Sequence, residues 1–200
     1  MTIDVVLLES GGSNIQSVKA AFARLGVEAC MTADPERIRR ATHVVLPGVG
    51  AAAAAMATLK SNGLIDLIPT LTQPLLGVCV GMQLLFEHSE EGDTRCLGLL
   101  PGVVRRFDRV AGLRIPHMGW NQLTIAAPHP LLAGISMGSY AYFVHSYHAA
   151  PGPSTLATCD YGGAFAAVVG AGNIFGAQLH PERSALVGSR LLQNFLSIRT

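Results

Sequence analysis

One of the four cysteines sits in a setting that could expose and activate a thiol. Cys79 lies in Gly77-Val-Cys79-Val-Gly81, between an apolar run and a helical pattern. Glycines two residues either side suit a sharp strand-to-helix elbow, where a Cβ would clash. Such an elbow lifts the thiol to the carboxyl edge of a sheet and aims the first N–H groups of the following helix at the sulfur, an arrangement that lowers thiol pKa values. The same five residues also fit a buried cysteine that acts only as a small hydrophobe. A nucleophilic thiolate needs a proton carrier, and His180-Pro181-Glu182 offers one. Pro181 biases His180 to extended backbone, and residues two apart on extended chain face one side. Glu182 would then hold one imidazole nitrogen and leave the other for Cys79, the order nucleophile, base, orienter. Acyl transfer through a thioester also needs oxyanion donors. The Val80 N–H at the elbow is one candidate, and the turn Gly48-Val49-Gly50 could bring a second.

That turn allows a competing reading. Gly48-x-Gly50-x-x-Ala53 matches a loose dinucleotide fingerprint, with Asp66 near the spacing of a ribose-binding acid. Against it, Asp66 falls in a helical-looking segment and Pro47 crowds the turn. A non-catalytic binding subunit is a third reading, and it leaves the Cys79, His180 and Glu182 set without a purpose. His145 and His148 on one strand would face opposite sides, so no metal pair is expected, and no metal or cofactor is required. His43, His88, His117 and His129 show no local partner and read as surface or satisfied core groups.

The elements that must position these residues come in two textures. Apolar runs at 3–8, 27–31, 43–46 and 75–78 alternate with helical patterns at 15–25, 36–40, 51–60 and 80–88. Asn14 and Asp34-Pro35 supply helix starts, and Gly26 a stop. Strand–helix alternation of this kind predicts an α/β fold with a doubly wound, mostly parallel sheet flanked by helices. Beyond residue 100 the pattern turns strand-rich and antiparallel: 103–107, 122–125, 139–147, 155–159 and 164–169, then a hairpin at 170–173 into 174–179. A closing helix over 184–198 sets Leu186, Leu191, Leu192, Phe195 and Leu196 near one face. No linker, charge block or repeat divides residues 1–200, which are expected to form a single domain.

Composition narrows the function classes. The chain has 200 residues, 50% of them apolar and only 14% charged, with a net charge of +1. There is no basic stripe for phosphates, so nucleic acid is not an expected partner. No apolar run is long enough for a bilayer and the N-terminus lacks a signal-peptide start, so a cytoplasmic location is expected and no membrane partner. Cysteines far apart and without C-x-x-C spacing suggest neither zinc nor a disulfide framework.

Several motifs together resemble a known family. Gly77-Val-Cys-Val-Gly-Met-Gln-Leu-Leu-Phe86 and Gly176-Ala-Gln-Leu-His-Pro-Glu182 resemble the class I, triad-type glutamine amidotransferases. Leu46-Pro-Gly-Val-Gly50, Leu99-Leu-Pro-Gly-Val-Val-Arg-Arg-Phe107, Pro116-His-Met-Gly-Trp-Asn121 and Tyr142-Phe-Val-His-Ser-Tyr147 are similar, within that class, to the glutaminase subunits of imidazole glycerol phosphate synthases. Pro116–Asn121 is the stretch that argues against a glutaminase serving another ammonia acceptor. The resemblance implies hydrolysis of glutamine to glutamate and ammonia, with the ammonia passed to a cyclase subunit in a heterodimer of histidine biosynthesis. It implies Cys79 as nucleophile, His180 as acid and base, and Glu182 as its orienter. Gln83 and Glu91 would hold the substrate amino acid, with His145, Ser146 and Tyr147 on the opposite side. Met118, Trp120, Asn121 and Tyr142 would face the partner; by residue type alone Trp120 would read as a core aromatic. Three places depart from the family pattern: Glu9-Ser-Gly-Gly-Ser-Asn14 replaces its usual first loop, Leu179 a Phe, and Val80 a Leu.

Overall fold

The computed structural model describes residues 2–11, 15–109 and 111–199. The expected helix start at Asn14 lies outside the described residues. The first half runs β1 (Val5–Leu8), α1 (Ile15–Ala23), β2 (Ala29–Thr32), α2 (Pro35–Arg40), β3 (His43–Gly48), α3 (Ala52–Ser61), β4 (Leu75–Cys79) and α4 (Val80–Gln83). The second half runs β5 (His88–Ser89), β6 (Thr94–Arg95), β7 (Val103–Arg106), β8 (His117–Gln122), β9 (Thr124–Ile125), β10 (Tyr140–His145), β11 (Tyr147–Ala149), β12 (Thr155–Asp160), β13 (Ala164–Ala171), β14 (Ile174–Ala177) and α5 (Ala185–Ser197). Asp34 caps α2 as its residue type predicts, its side chain accepting from Glu36 N with Pro35 at the first helical position.

Among the described residues, eight strands form one sheet in the order β2-β1-β3-β4-β14-β13-β12-β9. Pairing is parallel from β2 through β14 and antiparallel beyond it. Val5–Leu8 and Leu75–Cys79 are buried throughout, the pattern of strands covered on both faces. The mostly parallel sheet and the antiparallel, strand-rich second half are both present, and they share this sheet. β14 returns to lie parallel beside β4, with Ala177 level with Val78. That return matters for the site, because three adjacent parallel strands, β3, β4 and β14, end at one edge. Among the described residues two smaller sheets, β10-β8 and β11-β7-β5-β6, bring His145 and Tyr147 to the same cleft as Cys79.

Several expected boundaries shift for identifiable reasons. The helix after Cys79 stops at Gln83 instead of reaching His88. Leu85 and Phe86 donate three residues back, to Met82 and Gln83, and Glu87 N then donates to Gly102 O, so the chain leaves the helix for β5. Met82, Leu84, Leu85 and Phe86 are all buried, which leaves no polar face for a longer surface helix. The expected strand 139–147 breaks at Ser146, where the chain changes sheets: His145 pairs with β8 and Tyr147 with β7. The strand expected at 122–125 likewise divides at Leu123 between β8 and β9, and most of β8 itself was not foreseen. In α5 the buried stripe is Gly188, Leu191, Leu192, Phe195 and Leu196; Leu186 is off it and 86% exposed.

Candidate active site

Cys79 ends β4 with φ 53° and ψ −113°, a positive φ at a residue that carries a side chain. This is the elbow that the flanking glycines imply. A Cβ on Gly81 would run into the carbonyl of Leu46 in β3, and one on Gly77 would meet the backbone of Gly81 itself. The elbow therefore closes only because both positions lack side chains. Gly48 lies level with Cys79 in the β3–β4 register and is set against Val80 and Gly81.

His180 follows β14 by three residues and reaches the thiol side of the elbow. Its backbone is extended (φ −93°, ψ 97°), as the following proline requires. Glu182, however, is not on an extended run: Pro181–Arg183 form a 3-10 turn, and that turn brings the carboxylate back beneath the ring. His180 Nδ1 and Glu182 Oε1 are 2.9 Å apart, and both side chains are buried. The other ring nitrogen remains for Cys79, which lines the same cleft as His180 and whose thiol donates to Val144 O at 3.8 Å. Burial works against a charged ring here, but the hydrogen bonds to Cys79 and Glu182 and the charges of both outweigh it and raise the His180 pKa above its ordinary value. His180 is also held through its backbone: its N donates to Tyr142 O, Tyr142 N donates to Ser184 Oγ, and Ser184 Oγ donates to His180 O.

A cleft of about 440 Å³ opens over the sulfur. Its walls include Val49, Gly50, Val80, Gln83, Glu91, His145, Ser146 and Tyr147, all candidate site residues from the sequence, also Pro116 and Val144, which lie inside quoted motifs without an expected site role, and Arg183, which lies in none. Gly48 is set back in β3 and does not line it. Gln83 is buried, its amide donating to Tyr147 O and to Gln178 Oε1, both at 2.9 Å. Gln178, fully buried, donates in turn toward Cys79 Sγ at 3.8 Å. It lies inside the Gly176–Glu182 motif, yet nothing in spacing reveals that its side chain points at the thiol. Glu91 Oε2 accepts from Ala52 N at 2.8 Å, so it caps α3, whose own cap residue Ala51 has no side chain able to do so. That bond ties the cleft's acidic wall to the end of the residue 48–50 turn. Asp66, the would-be ribose ligand, is exposed and lies away from the cleft.

The residues expected to face a partner lie on the β8–β10 pair. Met118 is 67% and Trp120 51% exposed, which excludes the core-aromatic alternative for Trp120. Trp120 is level with Tyr142, their ring centroids 5.8 Å apart, and the Arg183 guanidinium lies 4.5 Å over the Tyr142 ring. Asn121 turns its amide inward, to Asp160 O at 2.8 Å and His117 Nε2 at 3.4 Å. His145 and His148 do not face opposite ways: the break at Ser146 lets both rings pack on Phe107. His117, without a partner along the chain, has one across the sheet in His145.

A parallel α/β sheet with a thiol on an elbow and a His–Glu pair on the adjacent strand end defines a class, and the comparisons agree: the chain belongs to the class I glutamine amidotransferase family, whose model matches residues 6–198. Along its length it is similar to imidazole glycerol phosphate synthase subunit HisH of Xanthomonas campestris pv. campestris, 53% identical over 195 residues that cover 98% of each chain. The protein of the same name from Xylella fastidiosa is 52% identical over the same span. PurLQS from Thermotoga maritima shares the fold, with a TM-score of 0.73 at 20% identity, covering 98% of this chain and 99% of that one. Among the described residues no helix is long and apolar enough to cross a membrane.

Proposed function

We propose that this chain is the glutaminase subunit of an imidazole glycerol phosphate synthase: it hydrolyses L-glutamine to L-glutamate and ammonia and passes the ammonia to a cyclase subunit for histidine biosynthesis. The observation that carries the reading is the buried Cys79–His180–Glu182 chain at the floor of a cleft, in a sequence 53% identical to a HisH subunit.

In this reading Cys79 Sγ attacks the side-chain amide carbon while its proton passes to His180 Nε2. The imidazolium, held by Glu182 at Nδ1, delivers that proton to the departing nitrogen, and ammonia leaves a thioester on Cys79. Water then attacks the thioester carbonyl, His180 takes a proton from it, and the thiol is restored as glutamate is released. Val80 N–H and the Gly48-Val49-Gly50 turn are the candidate donors to the oxyanion in both steps. Gln83 and Glu91 would take the amino-acid end of the substrate, facing His145, Ser146 and Tyr147. Met118, Trp120, Asn121 and Tyr142 mark the side from which the cyclase subunit would receive ammonia.

The test is glutamate release from glutamine, measured with and without a cyclase subunit and its nucleotide ligand. Release is expected to rise on adding the partner and to fall by roughly 10⁴-fold or more in Cys79→Ala. Full activity in that variant would overturn the proposal.

A further inference from the structure

Two buried histidines face each other across the β8–β10 pair: His145, part of the cleft wall, and opposite it His117, to which the proposed reaction gives no part. Their hydrogen bonds leave one consistent arrangement of protons. Tyr147 O, 2.8 Å from His145 Nδ1, can only accept, so His145 carries its hydrogen on Nδ1. Its Nε2 is then an acceptor, and His117 Nδ1, 3.1 Å away, must donate to it. His117 Nε2 is left to accept, and the Asn121 amide stands 3.4 Å from it. Protonating either ring would set two N–H groups against each other, and burial holds both rings neutral, His117 down to about 4 and His145 to about 3.

The series does not stop at Tyr147. Its carbonyl also accepts from Gln83 Nε2, Gln83 donates to Gln178 Oε1, and Gln178 Nε2 points at Cys79 Sγ. An unbroken run of donors and acceptors thus joins Asn121, on the strand that carries Trp120, to the thiol. The His117 ring lies between Tyr161, at 3.9 Å, and Phe143, at 5.2 Å, a slot that any flat ring would fill. What a histidine adds there is the Nδ1–H.

We propose that His117 is a positioning residue for glutamine hydrolysis: by donating to His145 it fixes the ring that holds the Tyr147 carbonyl, and through Gln83 and Gln178 it sets the Cys79 sulfur. The inference rests on the glutaminase reading above.

The full chain with its cyclase partner is assayed as wild type, His117→Phe, His117→Asn and Cys79→Ala. His117→Phe keeps a ring in the slot but leaves His145 Nε2 without a donor. Its kcat is expected to fall about tenfold with KM within about threefold, and alkylation of Cys79 by iodoacetamide to slow in parallel. His117→Asn places an amide N–H where Nδ1–H stood and is expected to restore both rates to within about threefold of wild type. Imidazole ¹⁵N spectra of the wild-type chain are expected to show Nδ1–H tautomers for both histidines, a readout that stands even if His117→Phe does not fold. Equal loss in the Phe and Asn variants, wild-type rates in His117→Phe, or an Nε2–H tautomer on His145 would overturn the inference. Activity surviving in Cys79→Ala would instead overturn the glutaminase reading itself.

Discussion

Cys79 holds a backbone conformation that glycine would adopt more readily, φ 53° with ψ −113°. Strain of this kind costs on the order of 1–3 kcal/mol and persists because the surrounding structure imposes it. Here the thiol is presented at that cost. Cys79→Gly is accordingly expected to be more stable than Cys79→Ala by about 1 kcal/mol in urea unfolding, with both variants inactive. Equal midpoints would mean that the elbow is relaxed. At this scale the sequence was most readable where partners are close along the chain: G-x-C-x-G and His-Pro-Glu each contain their own geometry. It was least readable where a contact crosses strands. His117 and His145 are neighbours only because β8 pairs with β10, and Gln178 reaches the thiol only because β14 lies beside β4. No local spacing carries either fact.

The elements bring the site together by ending at a common edge. β3, β4 and β14 run parallel, and each delivers one component as it stops: the residue 48–50 turn, Cys79, and the Gln178–Glu182 stretch. The contact between the β3 end and the elbow is backbone against backbone, so it has no side chain that can move aside. Gly81→Ala is therefore expected to lose roughly 1–3 kcal/mol or more and to abolish glutamate release, since relief of the clash must separate Val80 from the turn. Gly152→Ala is the control: no atom lies near the added Cβ there, and its melting and activity should match wild type. The parallel strands and their helices could be read from alternating apolar runs. The strand breaks at Leu123 and Ser146 could not, because each is a change of partner sheet within one continuous β-like stretch. The short α4 was hidden for a related reason: its apolar run supports a buried helix and a buried turn equally well.

At the scale of the whole molecule, two properties follow from what the β8–β10 pair hides and what it shows. On its inner side, His117 and His145 are neutral in the fold and titrate normally when unfolded. Between the unfolded value of 6.5 and the folded values of about 4 and about 3, the unfolded chain binds more protons, so stability is full above pH 6.5 and is lost as pH falls. His180, raised in the fold, adds no further loss in that window, because its own stabilisation is complete below its unfolded value. Unfolding free energy should therefore drop by a few kcal/mol between about pH 6.5 and about pH 5, and less steeply in His117→Asn. On its outer side, Met118, Trp120 and Tyr140 are exposed on a chain with little surface charge, and the Trp120 ring stands edge-on to Tyr142. A large aromatic at the centre of such a face is the residue type that dominates binding energy once water is excluded from it. Trp120→Ala is expected to weaken association with the cyclase subunit about thirtyfold or more in a calorimetric titration, while shifting the stability of the isolated chain by no more than about 0.5 kcal/mol. Met31→Ala, an exposed apolar truncation on β2 at the far edge of the main sheet, should leave association unchanged. If the two truncations weaken binding alike, the β8–β10 face is not the docking surface. The ammonia of the proposed reaction would then have to leave the cleft by a side other than the one lined by Pro116, Val144 and Arg183, which borders the β8–β10 face.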